Sequence, residues 1–251
     1  MSTCNTEYFV GQGKIYVAPR ASNGAINGGW TELGDTNKVE VTTKQTFLDE
    51  YESCSGNRSI VMHIPIQSDW TFTVDAKSFS KENLARAFYG TASAVTGSSV
   101  VDEIVTAYSL NQIVPLKNPG VSAVTVKQGL ATVLADDYVV DAKNGTITLV
   151  GAASLTGSTP YELKVSYTFG AYEKVEANTQ TITEYAFRFE GINLATKKAV
   201  IANVHRVSLD MAATLSLIDT KSGQFTMAGM MLPDASSGAG ESQYLTIVKA
   251  V

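Results

Sequence analysis

Residues 68–77 alternate strictly, with Trp70, Phe72, Val74 and Ala76 apolar and Asp69, Thr71, Thr73, Asp75 and Lys77 polar between them. Successive side chains of a strand point to opposite faces, so this spacing predicts a strand with one buried and one wet face. The same rhythm in Ile60, Met62, Ile64 and Ile66, in Leu163, Val165, Tyr167 and Phe169, and in Val207, Leu209 and Met211 predicts further half-buried strands. Longer strands are expected over 186–190, 199–211, 214–217 and 224–231, and a last one over 244–249. The chain has 20 glycines against 6 prolines, a balance that suits strands joined by turns.

One segment carries helix signals instead. Ser80 can cap an N-terminus, and Phe79 and Leu84 can form a hydrophobic staple around it. Leu84, Ala87 and Phe88 share a face, and Gly90 can stop the helix in a left-handed conformation. A short helix over 81–89 is therefore predicted. Val101, Ile104, Val105 and Tyr108 also fit helical spacing, but their β-branched content favours a strand.

Between 117 and 170 the texture changes to short strands with regular turn signals, at Asn118-Pro119-Gly120, Asn144-Gly145 and 156–160. Asn144-Gly145 predicts a hairpin with a type I′ turn, since both residues tolerate positive φ. The expected fold is mainly β, with one short α-helix and an inserted β-subdomain. A discontinuous core, 1–117 with 171–251, is interrupted by the insert at 118–170. Residues 1–13 and the Ser/Gly-rich 233–240 read as flexible pieces.

The chain has 251 residues, 44% of them hydrophobic and 17% charged, which is enough apolar matter for a folded core. Its net charge of −5 argues against a nucleic-acid binder, because that binding rests on Lys and Arg displacing counterions from phosphates. Cys4 and Cys54 form one pair at most and are expected as free thiols in a reducing compartment. The N-terminal residues lack the basic start and apolar stretch of a secretory signal, and no apolar run approaches the roughly 18 residues of a membrane span. A soluble protein made in the cytoplasm, without membrane contact, is the expectation.

No catalytic constellation emerges. His63 and His205 sit in alternating strand patterns with no Cys, His or carboxylate at metal-ligand spacing, and no serine lies in a G-x-S-x-G elbow. Gly11-Gln12-Gly13 followed by Lys14 lacks the further glycine and the helix of a phosphate loop and reads as a hinge. Asp49, Glu50 and Glu52 have the composition of paired acid–base carboxylates, but a solvated loop face is the better reading. No enzyme, no metal and no cofactor are expected.

Several segments resemble tail tube proteins of long-tailed, siphovirus-type bacteriophages. They are Gly13-Lys14-Ile15-Tyr16-Val17-Ala18, Trp30-Thr31-Glu32-Leu33-Gly34-Asp35-Thr36 with the strand at 39–43, and the helix Glu82-Asn83-Leu84-Ala85-Arg86-Ala87-Phe88-Tyr89-Gly90. Near the end come Phe187-Arg188-Phe189-Glu190-Gly191-Ile192-Asn193, Val204-His205-Arg206-Val207-Ser208-Leu209, Leu215-Ser216-Leu217-Ile218 and residues 229–234. The resemblance rests on the order of these pieces over roughly 13–116 and 171–234.

That resemblance implies a β-sandwich or small barrel flanked by one short α-helix, forming hexameric rings that stack into a hollow tube within a virion tail, assembled in the host cytoplasm. The implied partners are further copies of the chain, a tape-measure protein, tail terminator and tail tip proteins, and double-stranded DNA that passes without tight binding. An acidic lumen repels phosphates and suits such transit. Asp49, Glu50 and Glu52 are then candidates for the lumen or for a loop bridging rings, and Glu82, Leu84 and Phe88 for a subunit-contact helix. The alternatives are an adhesive or ligand-binding β-module built on the insert, and the inner tube of a contractile tail or related injection device.

Overall fold

The computed structural model describes residues 8–21, 24–54, 56–218, 220 and 222–250. It is mainly β, 55% strand and 4% helical, with several antiparallel sheets and one short helix. Strands β1 (Gly11–Pro19), β2 (Thr31–Glu32), β3 (Thr36–Tyr51) and β4 (Ile60–Ala76) precede the helix α1 (Lys81–Ala87). Nine strands follow: β5 (Thr91–Val95), β6 (Ser98–Ala107), β7 (Ile113–Pro115), β8 (Val121–Gln128), β9 (Ala131–Thr132), β10 (Tyr138–Asp141), β11 (Thr146–Leu149), β12 (Tyr161–Phe169) and β13 (Tyr172–Glu176). The chain ends with β14 (Glu184–Asn193), β15 (Lys198–Leu209), β16 (Phe225–Met231) and β17 (Leu245–Lys249).

These elements form two compact units, Met1–Thr91 with Val175–Val251, and Ala92–Lys174. The second unit starts earlier than the 118 suggested by turn texture, because β6 pairs along β12 and β7 pairs with β11. Residues 92–117 are held by those long-range ladders, which leave no mark on local composition.

In the first unit one sheet runs in the order β2-β1-β14-β15-β16-β4-β3, with β17 also paired to β15. Its core is the alternating face foreseen in β4, Phe72, Val74 and Ala76, joined by Ile15, Val17, Phe187, Leu209 and Phe225. The Phe72 and Phe187 rings lie 4.4 Å apart. Gly11-Gln12-Gly13 is part of β1 and not a hinge, and Gly13 stands opposite Gly191 of β14. A Cβ on Gly191 would lie 2.3 Å from the Gln12 carbonyl oxygen, so the two backbones need glycine to approach this closely. Gly191→Ala should lower stability by about 1–3 kcal/mol, the usual cost of overpacking, read as a shift of the denaturant midpoint. An unchanged midpoint would contradict this account of the glycine pair.

The helix forms where its caps predict, though two residues shorter than 81–89. Ser80 Oγ accepts the Asn83 N–H at 3.2 Å, and the apolar positions Leu84, Ala87 and Phe88 pack on the core. The stop differs from expectation. Tyr89, with φ of 48°, takes the left-handed position, and the Gly90 N–H donates back to the Ala85 carbonyl at 2.7 Å in a Schellman pattern. Gly90 is needed for a separate reason: a Cβ there would meet the Glu176 carbonyl oxygen at 2.5 Å. Residues 214–217, expected as a strand, form none.

The second unit places the sheets β10-β11-β7 and β6-β12-β8-β9 around Val105, Val126, Ile147, Leu149, Leu163 and Val165. β6 is a strand, as its β-branched content favours. The 138–149 hairpin is present, but its loop spans 142–145 and is not the two-residue type I′ turn. Asp141 Oδ1 accepts the N–H groups of Lys143 and Asn144, and only Gly145 has positive φ, so the aspartate side chain selects a longer turn.

Candidate functional site

The strongest departure from a self-contained sheet lies in the β3–β4 hairpin. The two strands pair from Thr36↔Ala76 to Tyr51↔Ile60, but β16 covers β4 only over 71–76. Beyond Trp70, which stacks on Tyr244 at 5.4 Å, the hairpin continues as a two-stranded ribbon with no third strand among the described residues. About nine residue pairs at roughly 3.3 Å per residue make the ribbon about 30 Å long. An isolated two-stranded hairpin is marginal in water, and this one is also apolar. Phe47, Leu48, Tyr51, Ile60, Val61, Met62, Ile64 and Ile66 are between 40 and 63% exposed.

This exposure corrects the expectation that Ile60, Met62, Ile64 and Ile66 are half-buried. Their alternation is real as far as Met62, Ile64 and Ile66, which share the Leu48 face, but a register shift near the tip sets Ile60 opposite Tyr51 on the other face, and nothing among the described residues covers either set. The other face carries Phe47 stacked on His63 at 4.1 Å, with His63 Nδ1 2.5 Å from Asp49 Oδ1.

The three predicted carboxylates fall at the far end of this ribbon. Asp49 and Glu50 are adjacent in β3 and so project to opposite faces, with Glu50 opposite Met62. Glu52 lies past the strand end, where its N–H donates to the Ser59 carbonyl at 2.9 Å. The structure does not bring them together as a catalytic pair. Cys54, near the turn, is free and exposed, and Cys4 lies outside the described residues.

Of the helix candidates, Leu84 and Phe88 pack against the core of their own unit, leaving Glu82 as the exposed member. Their apolar surface is largely spent within the chain. His205 bonds through Nε2 to Thr246 Oγ1 at 3.0 Å. Among the described residues no cluster of three or more His, Cys, Asp or Glu could hold a metal ion, and no helix is long and apolar enough to cross a membrane.

Two features of this unit were missed from the sequence. The first is a buried ion pair, Arg20 Nη1 to Asp234 Oδ2 at 2.6 Å, whose aspartate lies in the 233–240 segment read as flexible. Arg20 also donates to the His205 carbonyl, and Arg206 holds Glu184 through two 2.8 Å bonds nearby. The Arg20 hydrogen bond, with help from Ser236, holds the Asp234 carboxyl well below the usual carboxylate range, and Arg206 lowers Glu184 in the same direction. Arg20 and Asp234 lie 214 residues apart in sequence, so no local pattern reveals their pairing.

The second is an open cleft of about 910 Å3 between the start of β3 and the start of β1. Val39 and Val41 form one wall, and Phe189, Ala202 and Ile247 are among its floor residues. On β1, strand β2 covers only Tyr16 and Val17, with the Leu33 N–H reaching the Ile15 carbonyl at 2.8 Å, so among the described residues no strand lies beside the outer backbone edge of 11–14. Among the described residues β3 pairs only with β4, which leaves its other edge open too. The cleft is a sheet interior short of material, beside two unpaired backbone edges.

No curated protein matches the chain. The model of the family described as Protein of unknown function UCP028589 matches residues 8–248, spanning both compact units, and the chain belongs to that family.

Proposed function

We propose that this protein is a structural subunit that self-assembles, its rings stacking into the hollow tube of a bacteriophage tail that conducts the genome to the host. The observation that carries the reading is the β3–β4 ribbon, an apolar arm about 30 Å long that no other described element covers. Soluble monomers rarely expose contiguous apolar patches of this kind unless something docks on them. Fully burying one large apolar side chain gives about 1.5–3 kcal/mol, so covering the exposed halves of eight supplies several kcal/mol toward association. The open edges of β1 and β3 add backbone donors and acceptors to the same surface.

The segment order resembling tail tube proteins supplies the biological setting, and the net charge of −5 is compatible with a wall that DNA must pass without adhering. Within this reading the ribbon bridges successive rings better than it lines a lumen, since two apolar faces suit protein contact and not a water-filled channel. Asp49, Glu50 and Glu52 then sit at the ring junction. Tape-measure, terminator and tip proteins are the partners the reading entails.

Sedimentation velocity of the purified full chain across a hundredfold concentration range tests this reading. It predicts species well above 26.7 kDa that grow with concentration. A single monomer boundary throughout would overturn it.

A further inference from the structure

We propose that the cleft between β1 and β3 is the receptor for the apolar Leu48 face of the β3–β4 ribbon from a second copy of this chain; the proposal rests on the self-assembly reading above. Ribbon and cleft are complementary in two respects. The cleft presents apolar wall and floor residues, Val39, Val41, Phe189, Ala202 and Ile247, to an open space, while the ribbon presents Leu48, Met62, Ile64 and Ile66 with nothing against them. The cleft is bordered by the free backbone edges of 11–14 and of β3, and the ribbon is built of strands that themselves have free edges, so main-chain pairing can join them as in β-augmentation. At the cleft rim, Lys38 Nζ lies 2.7 Å from Glu40 Oε2, so these two charges are matched within the chain.

The topology also says that the occupant comes from another copy. Residues 36–41 of β3 form the cleft wall, and the ribbon is the continuation of the same strand away from it. Folding the ribbon back into its own cleft would break the β3–β4 ladder. Each chain therefore offers one arm and one socket at different places. Such heterologous contacts propagate from copy to copy and do not stop at a pair.

Cross-linking in the full chain tests the assignment, using Cys54 at the ribbon end as the native probe. In a Cys4→Ser background, Gln12→Cys or Asn37→Cys places a second thiol at the cleft, and Glu162→Cys in β12 serves as control. Mild oxidation of concentrated protein should give a ladder of disulfide-linked multimers on a non-reducing gel for the cleft variants, and not for Glu162→Cys. Multimers in sedimentation without a ladder from either cleft variant, or an equal ladder from Glu162→Cys, would overturn the cleft as receptor while leaving self-assembly standing. Absence of any association would remove both.

Discussion

Excising residues 47–66 and joining Thr46 to Gln67 through an Asn-Gly turn abolishes self-association and leaves a folded, soluble monomer. Thr46 and Gln67 are already opposite each other, so a two-residue type I′ turn can close the shortened hairpin at that register. The deletion removes all eight exposed apolar residues of the ribbon and none of the core cluster. Loss of several kcal/mol of interface burial corresponds to a weakening of about a thousandfold or more in the association constant. Stability should change by no more than about 0.5 kcal/mol, the ordinary range for exposed positions. A truncated chain that still multimerises as the parent does would show that the ribbon is not the joining element.

Asp234→Ala should be among the most destabilising single substitutions in the first unit, costing about 3–5 kcal/mol. It leaves the Arg20 guanidinium buried without its counter-charge, and the Arg20 Nε already has no hydrogen-bond partner among the described residues. Asp234→Asn, which keeps an acceptor oxygen, should cost less. The pH dependence follows from the direction of the carboxyl shift. Because the folded-state value of Asp234 is depressed by Arg20, its stabilising contribution is fully present above the ordinary carboxylate value near 4 and is lost as pH falls below that. Glu184, lowered by Arg206, acts in the same sense. Thermal unfolding should therefore show the parent losing stability between about pH 4 and pH 2, with a shallower loss in Asp234→Ala. Equal acid slopes in both proteins would contradict the ion pair's role.

What could be read from the sequence followed the range of the forces involved. The alternation at 68–77 predicted the buried face of β4 because period two is a local property, and Ser80 marked the start of α1 for the same reason. Local patterns misjudged what lay across a contact. Ile60, Met62, Ile64 and Ile66 alternate as a face to be covered, yet alternation does not say whether the cover is the same chain or another. The Asn144-Gly145 signal located a hairpin but not its turn, since the Asp141 side chain reorganised the loop. The glycines at 13 and 191 are meaningful only once β1 and β14 are side by side, and Arg20 with Asp234 only once the chain ends have folded together. The candidate site was legible in part: the acidic run at 49–52 was singled out, but the apolar arm it terminates was assigned to the core.

The most direct test of the central claim is negative-stain electron microscopy of the purified full-length protein at high concentration. The account predicts stacked rings or hollow tubes of uniform diameter, with the 47–66 excision reducing them to dispersed particles. Uniformly dispersed monomers of the unaltered chain under every condition that favours association would contradict it.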